Sequence, residues 1–463
     1  MNVVFLGGGS LRILPIVRAL FQSPEVFNGG SVRLVDLKLD RAEAVATLIR
    51  RCPEFKKANC SVTASSDLDK ALDGADLFYL TTAVAREPSD TFAAQAAAKH
   101  GYLHSDQLSI NGSFLAARAG NMVMSFARKM EQRCPDAMML IFANPVAVFS
   151  AAVSNHTKIK ALGICAGFGN HRWDLPRFCG RDQYEGDWNV VAAGVNHLSF
   201  ILRGERQGVP MDQLLTQLLD PKWECMKITS YAAAGERIRE SLGKMADVYR
   251  RFGTMIFSSE GDGMAHVLWD WALKHDNDSL AERLKGFNPD TAAAEAVKHI
   301  DAKFAEYAAM AASAQGPDWD TPISSNHLYG VDFSEISVPI IRAMAGLETM
   351  RINASHPNRG AVRDFPDNAA LEYTMDLRGK EIVPVENQYI PAPFKGLITA
   401  LSEHQTLLAD AIATQDGKLF ATALEAYPMN QFTANRRPFF HRMFEIFSDL
   451  PPAFCDGAKH LDW

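Results

Sequence analysis

Short apolar runs alternate with stretches of helical spacing along the first two hundred residues. Asn2–Leu6 is a continuous apolar run of the kind found in strands buried on both faces. Gly7-Gly8-Gly9-Ser10 follows, then Leu11–Phe21 with apolar residues at helical intervals. Ser31–Val35 predicts a second strand, with Asp36 at its end. The alternation continues with a helix over Arg41–Arg51, a strand over Cys60–Ala64, a short helix over Leu68–Leu72 and a strand over Asp76–Thr82. Helices are expected over Ser89–His100 and Leu115–Glu131, and strands over Met138–Phe142, Lys160–Cys165 and Val190–His197. This order predicts an α/β fold, a doubly wound parallel sheet of Rossmann type with helices on both faces.

Beyond residue 197 the rhythm changes. Helical spacing dominates over Met211–Leu219, Gly235–Arg251, Met264–His275, Ala292–Ala314 and Leu397–Thr414, separated by polar loops such as Ala354–Gly360 and Arg363–Asn368. Two domains are therefore expected: residues 1–197 as a dinucleotide-binding domain, and 198–463 as a mixed α+β, helix-rich domain that covers the substrate and forms oligomer contacts.

Composition narrows the classes. A chain of 463 residues, 47% hydrophobic, can bury a large core. Its net charge of −7 gives no basic field for nucleic acid. Seven scattered cysteines without a Cys-x-x-Cys pair suit a reducing cytoplasm better than a disulfide framework. No signal peptide is expected at the start. The longest apolar stretch, Ala137–Val153, is interrupted by Asn144-Pro145 and is too short to span a bilayer, so no membrane association is expected.

The chemistry gathers where strands end. Strand, glycine turn, helix, strand and terminal acid make a dinucleotide-binding unit. Its glycines let the backbone approach a pyrophosphate at a helix N-terminus, and Asp36 would accept from ribose hydroxyls. Gly7, Gly8, Gly9, Ser10, Leu11, Asp36, Thr82 and Asn144 are the expected cofactor contacts; the third glycine of the usual pattern is replaced by Arg12. In open α/β sheets, sites collect at the carboxyl ends of strands, which selects Thr81-Thr82, Asn144, Cys165 and His197. A thiolate and an imidazole at the mouths of neighbouring strands are good ligands for one first-row divalent ion; a buried thiol and a hydrogen-bonded core histidine are the plainer alternative.

Taken together, Phe5–Ser10, Ala143–Pro145, Gly163–Cys165 and Ala193–His197 resemble, in order, the NAD- and metal-dependent glycosidases of glycoside hydrolase family 4. The downstream pattern Asn353–Gly360, Leu371–Met375, Ile382–Pro384 and Ala421–Pro428 extends the resemblance over nearly the whole chain. The family is an NAD-dependent exception to two-carboxylate glycosidase chemistry. What the resemblance implies is a redox-assisted elimination. NAD⁺ takes hydride from C3 of the sugar, and a base removes the acidified C2 proton while the metal stabilises the enediolate. The aglycone leaves from C1, water adds, and the hydride returns.

The resemblance also implies roles for residues. Cys165 and His197 match the metal ligands, with Mn²⁺ or another divalent ion expected, and Asn144 and Asn196 match asparagines that contact substrate. The base expected here is Asp262, with Glu260 and His266 as alternatives, because Ile256–His266 holds no tyrosine. At least one of the two carboxylates is expected instead as an N-cap of the helix over Met264–His275. Ala166 follows the metal cysteine where α-specific phosphoglucosidases place an acid, so Asp106 becomes the candidate acid or substrate ligand. Arg86 and Arg359, with Arg342 and Arg363, are candidates for a charged substrate group.

The expected substrate is a small-molecule glycoside, acidic (uronide-type) or otherwise non-phosphorylated, with a sulfoquinovoside or 6-phosphoglycoside as the alternative within this architecture. A homodimer or homotetramer is expected. From other classes, a 2-hydroxyacid dehydrogenase shares the glycine start but lacks a matching Asp-x-x-Arg and histidine set here, and an NAD-sensing regulator would need neither Cys165 nor His197.

Overall fold

The computed structural model describes residues 1–82, 87–165, 175, 188–220, 222, 235–257, 261–314, 316–319 and 333–461. Among the described residues one twelve-stranded sheet runs through the molecule. Its first six strands are β1 (Asn2–Leu6), β2 (Ser31–Val35), β3 (Ser61–Ser65), β4 (Leu77–Leu80), β5 (Met138–Ile141) and β6 (Lys160–Gly163). They lie parallel in the order β3-β2-β1-β4-β5-β6. Val3, Val4, Phe5, Phe78, Met139 and Leu140 are wholly buried, as strands covered on both faces require. The connecting helices are α1 (Ile13–Leu20), α2 (Leu39–Arg51), α3 (Leu68–Leu72), α4 (Ser89–His100), α5 (Ile110–Arg133) and α6 (Val146–His156). The amino-terminal half is thus the doubly wound unit that the pattern predicts.

The sheet then continues with strands from the second half of the chain. These are β7 (Trp188–Val195), β8 (Leu198–Arg206), β9 (Val209–Pro210), β10 (Met350–Pro357), β11 (Ala370–Arg378) and β12 (Glu381–Pro384). The order beyond β6 is β10-β11-β7-β8-β9, with β12 paired to β11, and every pairing here is antiparallel. Cys165 and His197 therefore do not follow neighbouring strands, contrary to the expectation from sequence. The antiparallel pair β10–β11, encoded nearly two hundred residues later, is wedged between β6 and β7, and no local pattern can announce such an insertion. One cross-sheet row records the wedge: Gly163 faces Ser355, Ser355 faces Glu372, and Glu372 faces Gly194.

The boundary expected between residues 197 and 198 falls inside the β7–β8 hairpin, and the sheet is continuous across it. Helices fill the second half, including Gly235–Phe252, Trp269–Arg283, Pro289–Ala312 and Lys395–Thr414. The single helix expected over Met264–His275 is instead two, Gly261–Ala265 and Trp269–Arg283. The first is pressed against the β7–β8 turn, which fixes its direction independently of the second. Among the described residues no helix is long and apolar enough to cross a membrane.

Candidate functional site

The glycine turn joins β1 to α1 and is tied to β2. The N–H groups of Gly7 and Gly8 both donate to Val35 O at 2.9 Å, and Ser10 N donates to Gly7 O at 2.8 Å. Gly7 has φ +86°, and a Cβ on it would lie 2.9 Å from Thr82 N, so strand and turn approach more closely than a side chain permits. Asp36 Oδ2 accepts from Gly9 N at 3.0 Å and Oδ1 from Lys38 N at 2.9 Å. The acid that the sequence assigns to a ribose thus also braces the turn meant for the pyrophosphate. Gly7, Gly8, Gly9, Ser10, Leu11, Asp36 and Thr82 are brought together here.

A second centre lies beside the sheet row described above. Cys165 Sγ stands 3.2 Å from His197 Nε2. His197 occupies the tight β7–β8 turn in a left-handed conformation, φ +70°, which a residue with a Cβ adopts only when its surroundings hold it there. Three contacts do so. Asn196 Nδ2, next in the turn, donates to Glu372 Oε2 at 2.6 Å. His197 Nδ1 pairs with Asp262 Oδ1 at 2.7 Å. Gly263 packs its backbone on the turn so closely that a Cβ there would lie 1.6 Å from His197 O.

Asp262 is nearly inaccessible and both its oxygens are engaged. Oδ1 meets His197 and Gly263 N, and Oδ2 accepts from Ser105 Oγ and, at 3.3 Å, from Leu108 N. Burial alone would raise its pKa; the charge of His197 and the hydrogen bonds from His197, Ser105 and Leu108 outweigh burial and hold the carboxyl well below the usual carboxylate range. Asp262, expected from the sequence as the base, thus has both oxygens engaged and stands behind the His197 ring. A carboxylate on Nδ1 that leaves Nε2 for an ion is the common arrangement behind a metal-ligating histidine.

The donor set fits a divalent ion. Thiolate and imidazole at ordinary bond lengths of about 2.3 and 2.1 Å, between a right and a tetrahedral angle apart, stand roughly 3.1–3.6 Å from each other, which spans the separation seen. Among the described residues no cluster of three or more His, Cys, Asp or Glu completes the set, so the described chain supplies two donors.

A cavity of about 270 Å³ opens beside this centre, lined by His197, Asp262 and Gly261, by Leu103–Asp106 from the loop between α4 and α5, and by Trp271, Ala272, His275 and Asp276 from the helix Trp269–Arg283. Asn144 reaches the same loop: its Nδ2 donates to Asp106 Oδ2 at 2.7 Å and its Oδ1 accepts from Gln107 Nε2 at 2.7 Å. Gln107 Oε1 in turn accepts from Val146 N at 3.1 Å, which fixes the amide orientation. Asp276 behaves oppositely to Asp262. Burial raises its carboxyl above the ordinary value, only partly offset by the N–H of His104, which donates to Oδ2 at 2.9 Å.

Other residues singled out from sequence lie elsewhere. Asn196 is fully buried beneath the turn, bonded to Glu372 rather than facing the cavity. Arg359 Nη2 donates to Ser154 O at 3.0 Å and Asn155 Oδ1 at 2.9 Å, at the far end of α6 from Asn144; it caps a helix rather than a substrate. Arg342 is engaged by Ser23, Glu25 and Glu348, and Arg363 lies over the ring of Tyr389. His266 lies under the site, with Nδ1 on Asp262 O at 2.7 Å and Nε2 on Tyr427 OH at 3.1 Å. Arg86, Glu260 and Ala166 with the residues after it to His171 lie outside the described residues. Sequence reasoning missed His104, Ser105, Trp271, His275 and Asp276. The signal available was the helical interval that puts Trp271 and His275, and Ala272 and Asp276, on one face.

Comparison with known proteins agrees with this layout. Residues 2–172 match the model of the family 4 glycosyl hydrolases, and residues 192–429 match that of the family 4 glycosyl hydrolase C-terminal domain. An alpha-galactosidase of Bacillus subtilis is 22% identical, with 100% of this chain and 98% of that one aligned. An alpha-galacturonidase of Thermoanaerobacterium saccharolyticum is 21% identical, covering 99% of this chain and 97% of the relative. Among solved structures, a 6-phospho-alpha-glucosidase from gut microorganisms, in complex with NAD and glucose-6-phosphate, superposes with a TM-score of 0.78 at 17% identity over 98% of this chain and 99% of the other. The two family models together cover most of the sequence, and the chain belongs to family 4 of the glycosyl hydrolases.

Proposed function

We propose that the protein is a glycosidase that uses NAD and a divalent metal ion to cleave a non-phosphorylated glycoside through transient oxidation and elimination. The observation that carries this reading is the Cys165–His197 pair, 3.2 Å apart with Asp262 behind the ring, at the rim of a cavity in a sheet whose other half bears the glycine turn. A solved relative is described in complex with NAD and Mn²⁺. When bound, NAD would supply reversible hydride transfer and the ion Lewis acidity at a sugar oxygen. Gly7–Leu11, Asp36 and Thr82 would hold the nucleotide, Cys165 and His197 the ion. Residues 1–197 would carry the cofactor and 198–463 most of the substrate wall.

The remaining roles belong to side chains of this chain. Asp262 keeps Nε2 of His197 turned to the ion. Asp106, with its oxygen fixed by Asn144, accepts a sugar hydroxyl. Trp271 offers an aromatic face: its Nε1 is bound to Glu240 and its ring is stacked on His275 with centroids 5.4 Å apart, leaving a flat apolar surface for the C–H face of a pyranose. The described wall holds three aspartates and three histidines but no Lys or Arg, which supports a glycoside without phosphate.

The test is a panel of nitrophenyl α- and β-glucosides, galactosides, glucuronides, galacturonides, sulfoquinovosides and 6-phosphoglucosides, each with and without NAD⁺ and Mn²⁺. Cleavage that needs both, without net NADH, is the expected result. Stoichiometric NADH would instead make the protein a plain dehydrogenase. Turnover unchanged in Cys165→Ser with Mn²⁺ present would remove the metal assignment.

A further inference from the structure

His104 lines the cavity that His197 also lines, and its ring is held from behind. Nε2 lies 3.1 Å from Asp90 Oδ1, in a pair whose side chains are each 13% exposed. An ionised carboxylate can only accept, so the shared hydrogen sits on Nε2, and in the neutral ring the lone pair is then on Nδ1. Asn111 Nδ2 lies 3.3 Å from the same Nε2 and 3.1 Å from Ser105 O. The charge-assisted bond to Asp90 is the stronger, and the amide donates to Ser105. Nδ1 has no hydrogen-bond partner among the described residues. The main chain is fixed as well, since His104 N donates to Asp276 Oδ2. The charged or titratable groups that share the cavity with the ring are Asp106, His197, Asp262, His275 and Asp276.

We propose that His104, oriented by Asp90, is the group that accepts a proton from the sugar held in this cavity. The assignment rests on the glycosidase reading. The Nδ1–H bond forms as a sugar O–H or C–H bond breaks, and the electron pair stays on the sugar. Asp90 offsets the imidazolium charge until the proton passes to the departing alcohol, so the ring ends each turnover neutral. An aspartate that fixes the tautomer of a histidine base is a recurrent solution in hydrolases. It requires a ring with one nitrogen clamped and the other open, as found here.

The experiment uses the full-length protein. His104→Gln with NAD⁺ and Mn²⁺ is expected to lose about 10²–10⁴-fold in kcat, with NAD⁺ and Mn²⁺ binding by calorimetry unchanged and activity partly restored by added imidazole. Asp90→Asn is expected to lose less and to shift the pH profile of kcat. A readout independent of turnover is the ¹⁵N spectrum of the histidine rings in the protein without cofactor. The wild type should show His104 protonated at Nε2 alone, and Asp90→Asn should show a mixture of tautomers. A kcat for His104→Gln within threefold of wild type, or a wild-type ring protonated at Nδ1, overturns the proposal. Should glycoside cleavage prove independent of NAD⁺, the redox reading falls while His104 is still scored on the glycoside that the wild type cleaves. Should no glycoside be cleaved, the ring spectrum still decides the tautomer.

Discussion

The two walls of the cavity are built on different principles. One wall, His197 and Asp262 with Cys165 beside the imidazole, is stitched to the sheet and holds an ionised carboxylate against an imidazole. The other, His104, Trp271, His275 and Asp276, comes from a loop and a helix and holds a carboxyl that burial keeps toward its neutral form. Two aspartates that line one cavity are thus pushed in opposite directions by their neighbours. Where environments separate titratable groups in this way, one serves to fix charge and the other to move protons. On the function proposed above, the difference teaches that the sheet wall would position and the helix wall would react.

The strongest way to break that division is Gly263→Ala. Its new Cβ would collide with the backbone carbonyl of His197, so the turn must move. A loss of about 100-fold or more in kcat/KM is expected, since small displacements of a reacting group cost that much, and the thermal midpoint should fall. Next comes Asp262→Asn, which leaves the ring without its orienting charge. Mn²⁺ affinity measured by calorimetry should drop roughly 10- to 100-fold, with kcat recovered at saturating Mn²⁺; a loss of kcat that Mn²⁺ cannot restore would make Asp262 a reacting group after all.

Smaller effects sharpen the contrast in the metal-free protein. Asp262 has a depressed pKa in the folded state, so it stabilises above its unfolded value and that contribution fades as the pH falls through the carboxylate range. Asp276 has a raised folded pKa, so the fold favours its neutral form, and its contribution is lost as the pH rises through that same range and above. At neutral pH, Asp262→Asn should therefore destabilise and Asp276→Asn should modestly stabilise, with both differences shrinking toward pH 3 in melts followed by circular dichroism. Two variants shifting in the same direction would refute the opposition of the walls. Smallest of all, Arg359→Ala should leave kcat/KM within about twofold, because its guanidinium is bound to α6 away from the cavity.

What the sequence makes legible follows the same division. The glycine turn, Asp36, Cys165 and His197 sit at strand ends in short local patterns, and a strand's end is visible one residue at a time. The helix wall carries no such mark. Trp271 and Asp276 become neighbours of His104 only through packing of elements far apart in the chain, and a Trp on a helix reads first as core. Asn196 shows the opposite error: it stands in the right motif, but Glu372, on a strand that enters much later, draws its amide inward. Arg359 misled because a guanidinium in a polar loop looks the same whether it caps a helix or faces a ligand.

The wedge of β10 and β11 has a bearing on biosynthesis. The thiol and imidazole are both translated before residue 200, but the strands that set their spacing emerge only after residue 350. A nascent chain can close its amino-terminal half early, while the Cys165–His197 spacing is set only once the last quarter of the polypeptide has left the ribosome.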